Sequence, residues 1–427
     1  FRFCTSISFL GQGSPLLTIY DKGGTMISRT LLQATLGIAL FTAILFGINT
    51  SAYSAERTIK LAGFGVKTGV VRSFGINTEA VIKAAVQHVN ESGGVKLADG
   101  TTAKMELEFY DDRCKAEEGI SVLRRIAGTE AIIAIGPTCS NVAEPLFGIL
   151  QKKVDDAGDS GLQMPIFTDT AIKGGLAKIS EWAFRNVPNE NMMYKELFKW
   201  LKKEHPGLNT IFGGVEQDFA HSRFTWHKVM KLRSPEAGFK FTGEAKWLLN
   251  DTSFTTQVRQ MKKAKADIIA ISAHPFTTCG VLREMKRQRV KPKLLVGLTS
   301  SSSMETLKGC AKEAEGIIIP TSFAPVTDAA RLAAEATAKQ GGNADLHSAA
   351  AWEIVMVLKD VIETNGIQAK SDTVQSDRRK IRDGLAALKE TEGLLGTIVR
   401  TSEGEANKPY VYAHAKNGQW VVLHNPM

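Results

Sequence analysis

The chain has 427 residues, 43% hydrophobic and 23% charged, with 53 Lys and Arg against 44 Asp and Glu for a formal charge of +9. That length is too great for one core and fits two domains, and the composition predicts that both are well packed and soluble. The positive excess is spread over helix faces such as Lys262-Lys263-Ala264-Lys265 and Lys286-Arg287-Gln288-Arg289 without interleaved aromatics, which excludes a nucleic-acid platform.

The first 55 residues read as a leader. Arg29 follows Met26, Leu31 to Ile48 is almost wholly apolar, and Ser51-Ala52-Tyr53-Ser54-Ala55 supplies the small residues that a signal peptidase accepts. We expect a signal peptide over 26–55, cleaved between about Ala52 and Glu56; an uncleaved membrane anchor is the alternative reading of the same run. Residues 1–25, with a stray Cys4, read as upstream read-through. Removing Arg2, Asp21, Lys22 and Arg29 with the leader leaves a net charge of about +7.

Beyond residue 56, strand and helix alternate. Short apolar runs at Ile59 to Phe64, Met105 to Tyr110, Ala131 to Ile135, Thr210 to Gly213, Asp267 to Ser272, Lys293 to Gly297 and Gly316 to Pro320 are bounded by turn residues, as buried parallel strands are. Helical periods lie between them. Thr78 to Val86 sets Val81, Ala85 and Val86 on one face and Glu79 and Lys83 on another, and Ser348 to Glu363 repeats the pattern. Successive strand-helix units predict an α/β fold of doubly wound parallel sheets.

Cys114 and Cys139 each fall just past the carboxyl end of a strand, in Asp111-Asp112-Arg113-Cys114 and Gly136-Pro137-Thr138-Cys139-Ser140. Loops at that end of a parallel sheet converge where ligands bind. With the leader removed, four cysteines remain, an even number in an exported chain, which favours two bridges. Proximity along the fold suggests Cys114 with Cys139 and Cys279 with Cys310; free buried thiols are the alternative. No Cys or His pair has a short ligand spacing beside a second such pair, so zinc is disfavoured. Gly-x-Ser-x-Gly, the phosphate-binding Gly-x-x-x-x-Gly-Lys and His-Glu-x-x-His are all missing, so neither an enzyme nor a nucleotide, metal or organic cofactor is expected.

An ordered set of segments resembles the periplasmic branched-chain amino-acid-binding proteins of ABC transporters. It comprises Ile59 to Phe64, Thr68-Gly69, Val89 to Val95, Asp111-Asp112, Ile135 to Thr138, Phe184 to Pro188, Ala314-Glu315-Gly316 and Val411-Tyr412 to Trp420. The first cysteine pair is also spaced as in the leucine/isoleucine/valine-binding protein. The resemblance implies two lobes joined by a hinge that the chain crosses three times, with residues 57–185 and 318–396 in lobe one and 186–317 and 397–427 in lobe two. It implies a periplasmic protein that closes on a small solute and delivers it to a membrane permease and its ATPase. A sensory or receptor module of the same fold is the alternative. That module needs a second membrane segment, and no apolar run after Ala55 approaches 18 residues.

Candidate ligand contacts follow. Unpaired N–H groups at a helix N-terminus attract a carboxylate, and Thr138-Cys139-Ser140-Asn141 opens the helix after a strand, so Ser140 and Asn141 are candidates; a plain N-cap is the simpler role for Ser140. Thr170 looks like the family's second carboxylate-side residue. Phe74 and Phe219 fit the family's aromatic positions or are ordinary core, and His274 is a contact or a hydrogen-bonded structural group. Where amino-acid binders of the family tend to present a glutamate to the ligand ammonium, this chain has Leu298-Thr299-Ser300. Hydroxyls on Thr299 and Ser300 cannot neutralise a buried ammonium. The ligand is then an aromatic or aliphatic organic acid, or an amino acid whose charge is met by Asp169, Glu216 or Asp218.

Overall fold

The computed structural model describes residues 57–426; the proposed read-through and signal peptide lie outside the described residues. Among these residues, no helix is long and apolar enough to cross a membrane.

Strands covered on both faces cannot alternate polar with apolar side chains, and the predicted runs become the centres of two sheets for that reason. The first sheet is ordered β2 (Val95–Lys96), β3 (Thr102–Asp111), β1 (Arg57–Gly65), β4 (Ile133–Ile135), β5 (Ile166–Thr168) and β6 (Ala183–Arg185), with only β2 antiparallel. Every residue of β4, β5 and β6 is buried. The second sheet is ordered β16 (Gln419–His424), β15 (Val411–Lys416), β11 (Ile317–Thr321), β10 (Leu294–Gly297), β9 (Ile268–Ser272), β7 (Thr210–Glu216) and β8 (Lys240–Trp247). Its first five strands along the chain are parallel, while β15 and β16 add antiparallel at the β11 edge. In each sheet, the five parallel strands lie in the spatial order second, first, third, fourth, fifth. Each sheet therefore has one point where the winding direction reverses: between β1 and β4, and between β7 and β9. Crevices open there at the carboxyl ends of the strands.

Two apolar clusters flank each sheet. Helices Arg72–Glu91, Ala349–Thr364 and Val374–Ala387 cover one face of the first sheet through residues such as Val81, Ala85, Ile354 and Ile381. Ala116–Ala127 and Ser140–Phe147 cover the other through Leu123, Ile126, Val142 and Leu146. The second sheet is covered likewise, with Glu190–Glu204 on one face and Pro275–Arg287 on the other. On Arg72–Glu91, Val81, Ala85 and Val86 are buried as predicted, and Lys83 points to solvent and pairs with Glu79 at 2.7 Å. Gly136, with φ +129°, brings the turn after β4 against β1, where a Cβ would lie 2.1 Å from the Phe64 carbonyl oxygen.

The chain crosses between the sheets at residues 186–189, 322–327 and 408–410. The sequence boundary between 317 and 318 therefore falls inside β11, because the apolar run continues to Thr321 and the crossing waits for Ser322. The boundary between 396 and 397 likewise falls inside β13 (Gly396–Arg400), which pairs with β12 (Glu390–Gly393) and β14 (Ala406–Asn407) in a small third sheet. Two of the crossings are tied together by one buried carboxylate. Glu353 pairs with Lys408, accepts from Asn186 Nδ2 at 2.8 Å and accepts from the Leu394 N–H at 2.9 Å.

Candidate functional site

The carboxyl ends of the parallel strands of both sheets face a common gap. From the first sheet, β4 runs into Thr138 and Ser140, β5 runs into Thr170, and the segment after β1 carries Phe74 at the start of its helix. A disulfide between Cys114 and Cys139, with Cα atoms 5.6 Å apart, fastens the loop after β3 to the loop after β4. From the second sheet come Phe219 and His221 after β7, His274 after β9 and Ser300 after β10, and His347 enters just ahead of helix Ala349–Thr364. Pro275 fixes the start of the helix behind His274, since its missing N–H costs nothing at a first helical position. The second disulfide, Cys279–Cys310, joins that helix to Met304–Ala314. The free space among these side chains is only about 10 Å³, room for about one water and far below the roughly 300–1,000 Å³ of drug-sized pockets.

Two of the three histidines are held by buried carboxylates. His221 Nε2 lies 2.9 Å from Glu190 Oε1 and its Nδ1 lies 3.0 Å from Ser300 Oγ. Glu190 also accepts from the Thr225 and Thr299 hydroxyls. Burial pushes the Glu190 carboxyl up, but His221 and these donors outweigh it and hold the group below its ordinary value. His274 Nδ1 lies 2.5 Å from Glu216 Oε1, and Thr277 donates to Oε2 at 2.5 Å. Glu216 is likewise pushed up by burial and brought below its ordinary value by His274 and Thr277.

His347 differs from both. It is 2% exposed, and neither ring nitrogen has a hydrogen-bond partner. Burial, then the neighbouring His221 and His274, drive its pKa well below the ordinary imidazole value. The apolar walls are aromatic: Phe74 meets His347 edge-on at 4.9 Å, and Phe219 lies 4.3 Å from His274. Phe219 comes from the second-sheet side yet packs within the apolar cluster of Phe64, Phe74 and Cys139, so it is both core and cavity wall. The Ser140 hydroxyl accepts from the Lys173 N–H at 3.2 Å, which leaves its own hydrogen to donate. Thr170 Oγ1 lies beside Asp169 without a well-formed hydrogen bond.

Of the residues expected from the sequence, Phe74, Ser140, Thr170, Phe219, His274 and Ser300 line the gap together. Asn141 and Thr299 do not. Asn141 Oδ1 instead accepts the Ala220 N–H at 2.7 Å, and the Thr299 hydroxyl is spent on Glu190. Cys139, not Ser140, is the N-cap residue of helix Ser140–Phe147. Among the three carboxylates named as replacements for the glutamate, Glu216 is consumed by His274, and the exposed Asp218 accepts the Leu249 N–H at 2.8 Å. Asp169 is fully buried behind Thr170, accepts from Thr78 at 2.6 Å, and is pushed up to about 6 by burial. The sequence reading missed Thr138, His221 and His347. Thr138 stood one residue from Cys139 in a turn already noted, and His221 two residues past Phe219, so strand-end position was a usable signal for both. His347 follows no strand, and nothing in its neighbours marked it.

A family model described as periplasmic binding protein matches residues 58–419. The leucine-, isoleucine-, valine-, threonine- and alanine-binding protein of Pseudomonas aeruginosa is 23% identical, over 86% of this chain and 89% of its own length. A branched-chain amino acid transporter substrate binding protein of Streptococcus pneumoniae, solved with isoleucine, shares the fold at a TM-score of 0.71 and 17% identity, covering 85% of this chain and 98% of that one. So does an ABC transporter solute binding protein of Rhodopseudomonas palustris solved with 4-hydroxybenzoate, at a TM-score of 0.71 and 16% identity over 86% and 96%.

Proposed function

Because the chain belongs to the periplasmic binding protein family, we propose that it captures a small carboxylate-bearing solute in the periplasm and delivers it to the permease and ATPase of an ABC importer. One lobe consists of the first sheet with residues 57–185 and 328–407, and the other of the second sheet with residues 190–321 and 411–426. Solute stabilises the closed arrangement by binding it more tightly than the open one, with the three crossings as the hinge. The protein performs no covalent chemistry, and ATP is consumed by its partners.

The observation that carries this reading is the gap between the two winding-reversal points, with hydroxyls at a helix N-terminus on the first-sheet side and rings supplied from both sides. Ser140 and Thr170 receive the carboxylate, while Phe74, Phe219 and His274 enclose the body of the solute. No carboxylate is among the lining side chains. A buried α-ammonium would therefore lack a counter-charge, a costly arrangement. We favour an aromatic or aliphatic acid without an amino group, the class represented by the 4-hydroxybenzoate seen in one relative. The unpartnered Oδ1 of Asp169 supports the second reading, a hydrophobic amino acid of the kind that the Pseudomonas relative is named for.

A thermal-shift screen tests both. Solute at a thousandfold over its Kd adds about 4 kcal/mol, which raises the melting midpoint by about 5 °C for a protein of this size. Shifts with benzoate-like or aliphatic acids support the first reading. Shifts confined to leucine, isoleucine, valine or phenylalanine support the second, and no shift with either class removes the carboxylate site.

A further inference from the structure

Of the three imidazoles around the gap, His347 alone has neither nitrogen bonded. Both nitrogens of His221 and Nδ1 of His274 are engaged by Glu190, Ser300 and Glu216, whereas neither nitrogen of His347 has a partner although the residue is 2% exposed. Phe74 crosses its ring at 4.9 Å and His221 at 6.4 Å, so the ring is fixed in place by apolar and aromatic contacts with its polar edge unspent. A buried polar group left unpaired is a cost that a suitable ligand removes. Surrounded by burial and two other imidazoles, His347 stays neutral and offers one N–H and one lone pair. A neutral ring cannot neutralise a second carboxylate or an ammonium. It matches a hydroxyl, which can accept from the N–H or donate to the lone pair.

We infer that His347 reads a hydroxyl on the solute, so that the site selects hydroxylated carboxylates over the counterparts that lack the hydroxyl. The inference rests on the proposal above that this gap is the solute site, and adds a second polar anchor to the carboxylate contacts of Ser140 and Thr170. Discrimination of this kind is strong, because the analogue lacking the hydroxyl leaves the site's polar group unpaired.

Isothermal titration on matched pairs tests it: 3- and 4-hydroxybenzoate against benzoate, and threonine against valine, with the native protein and with His347→Phe, which keeps the ring but removes both nitrogens. We expect the native protein to prefer a hydroxylated member by about tenfold or more. His347→Phe should abolish the preference while binding the unhydroxylated member within about threefold of native, and His347→Gln, with its own donor and acceptor, should restore part of it. If His347→Phe fails to fold, His347→Leu is read the same way. A preference that survives the substitution overturns the assignment, as do equal losses for both members of a pair and a native protein that ignores the hydroxyl. If only threonine and valine bind, the choice of an organic acid has failed and their ratio still decides the role of His347. If none of the five binds, both proposals fall.

Discussion

Replacing Lys408 by Met should lower the melting midpoint by about 4–6 °C. Lys408 and Glu353 are each only 3% exposed and lie within hydrogen-bonding contact, and Lys408 also donates to the Asn186 carbonyl at 3.3 Å. After the substitution, Glu353 keeps the Asn186 amide and the Leu394 N–H as donors but loses its counter-charge. Removing one member of a buried pair costs about 3–5 kcal/mol, because the other charge is left uncompensated. Unfolding entropy of about 2.1 cal/mol/K per residue over roughly 370 residues gives about 0.8 kcal/mol/K, and the quotient is the stated shift. Scanning calorimetry on native protein, Lys408→Met, Glu353→Met and the double substitution supplies the test. The double variant should melt above either single one, since it removes both charges together. A single variant within 1 °C of native, or a double variant showing the sum of the two losses, would refute the coupling.

Three further outcomes are expected. Ser140→Ala should weaken solute binding by about 1–3 kcal/mol, or roughly 5- to 150-fold in Kd, and unchanged affinity in a titration would remove Ser140 from the site. Replacing Cys114 and Cys139 together by Ser releases a loop with a sequence separation of 25 residues, worth about 3.5 kcal/mol in the chain-entropy account; the midpoint should fall with an unchanged solute ranking, and an altered ranking at native stability would contradict this. Burial raises the Asp112 carboxyl to about 7, so between pH 4 and pH 7 the folded state holds a proton that the unfolded chain has already released. Asp112 therefore makes stability fall as pH rises through that window, by at most about 4 kcal/mol. Asp112→Asn should flatten the slope, and denaturant midpoints at pH 4 and pH 8 that change equally in both proteins would show that Asp112 does not carry it.

The sheets were legible because a parallel strand buried on both faces must be apolar throughout. Asp267 to Ser272 thus stands out at nearly its true length and Ile59 to Phe64 as the centre of the longer β1, and both disulfides followed from the fold order. The crossings were harder to place, since the chain leaves β11 after Thr321 into Ser322-Phe323-Ala324-Pro325, whose apolar residues give no clear stop signal. The site was legible where it follows a strand end, as with Ser140, Thr170, His274 and Ser300. Glu190 and His347 come from other elements, and only the packing of the two sheets brings them near those loops. Thr299 was misjudged because its hydroxyl has a partner 109 residues away, a distance that no local pattern carries.

The bond from Ala220 N–H to Asn141 Oδ1 spans the two sheets. Ala220 is the first residue of its helix, so no earlier turn of that helix supplies an acceptor for its amide. In the proposed closed arrangement Asn141 holds this proton; on the proposed opening, water takes its place. Deuterium uptake at this one amide therefore clocks cleft opening from within the backbone, and the slowing of that uptake by a solute measures how long the solute keeps the cleft shut, without a dye or any change to the protein.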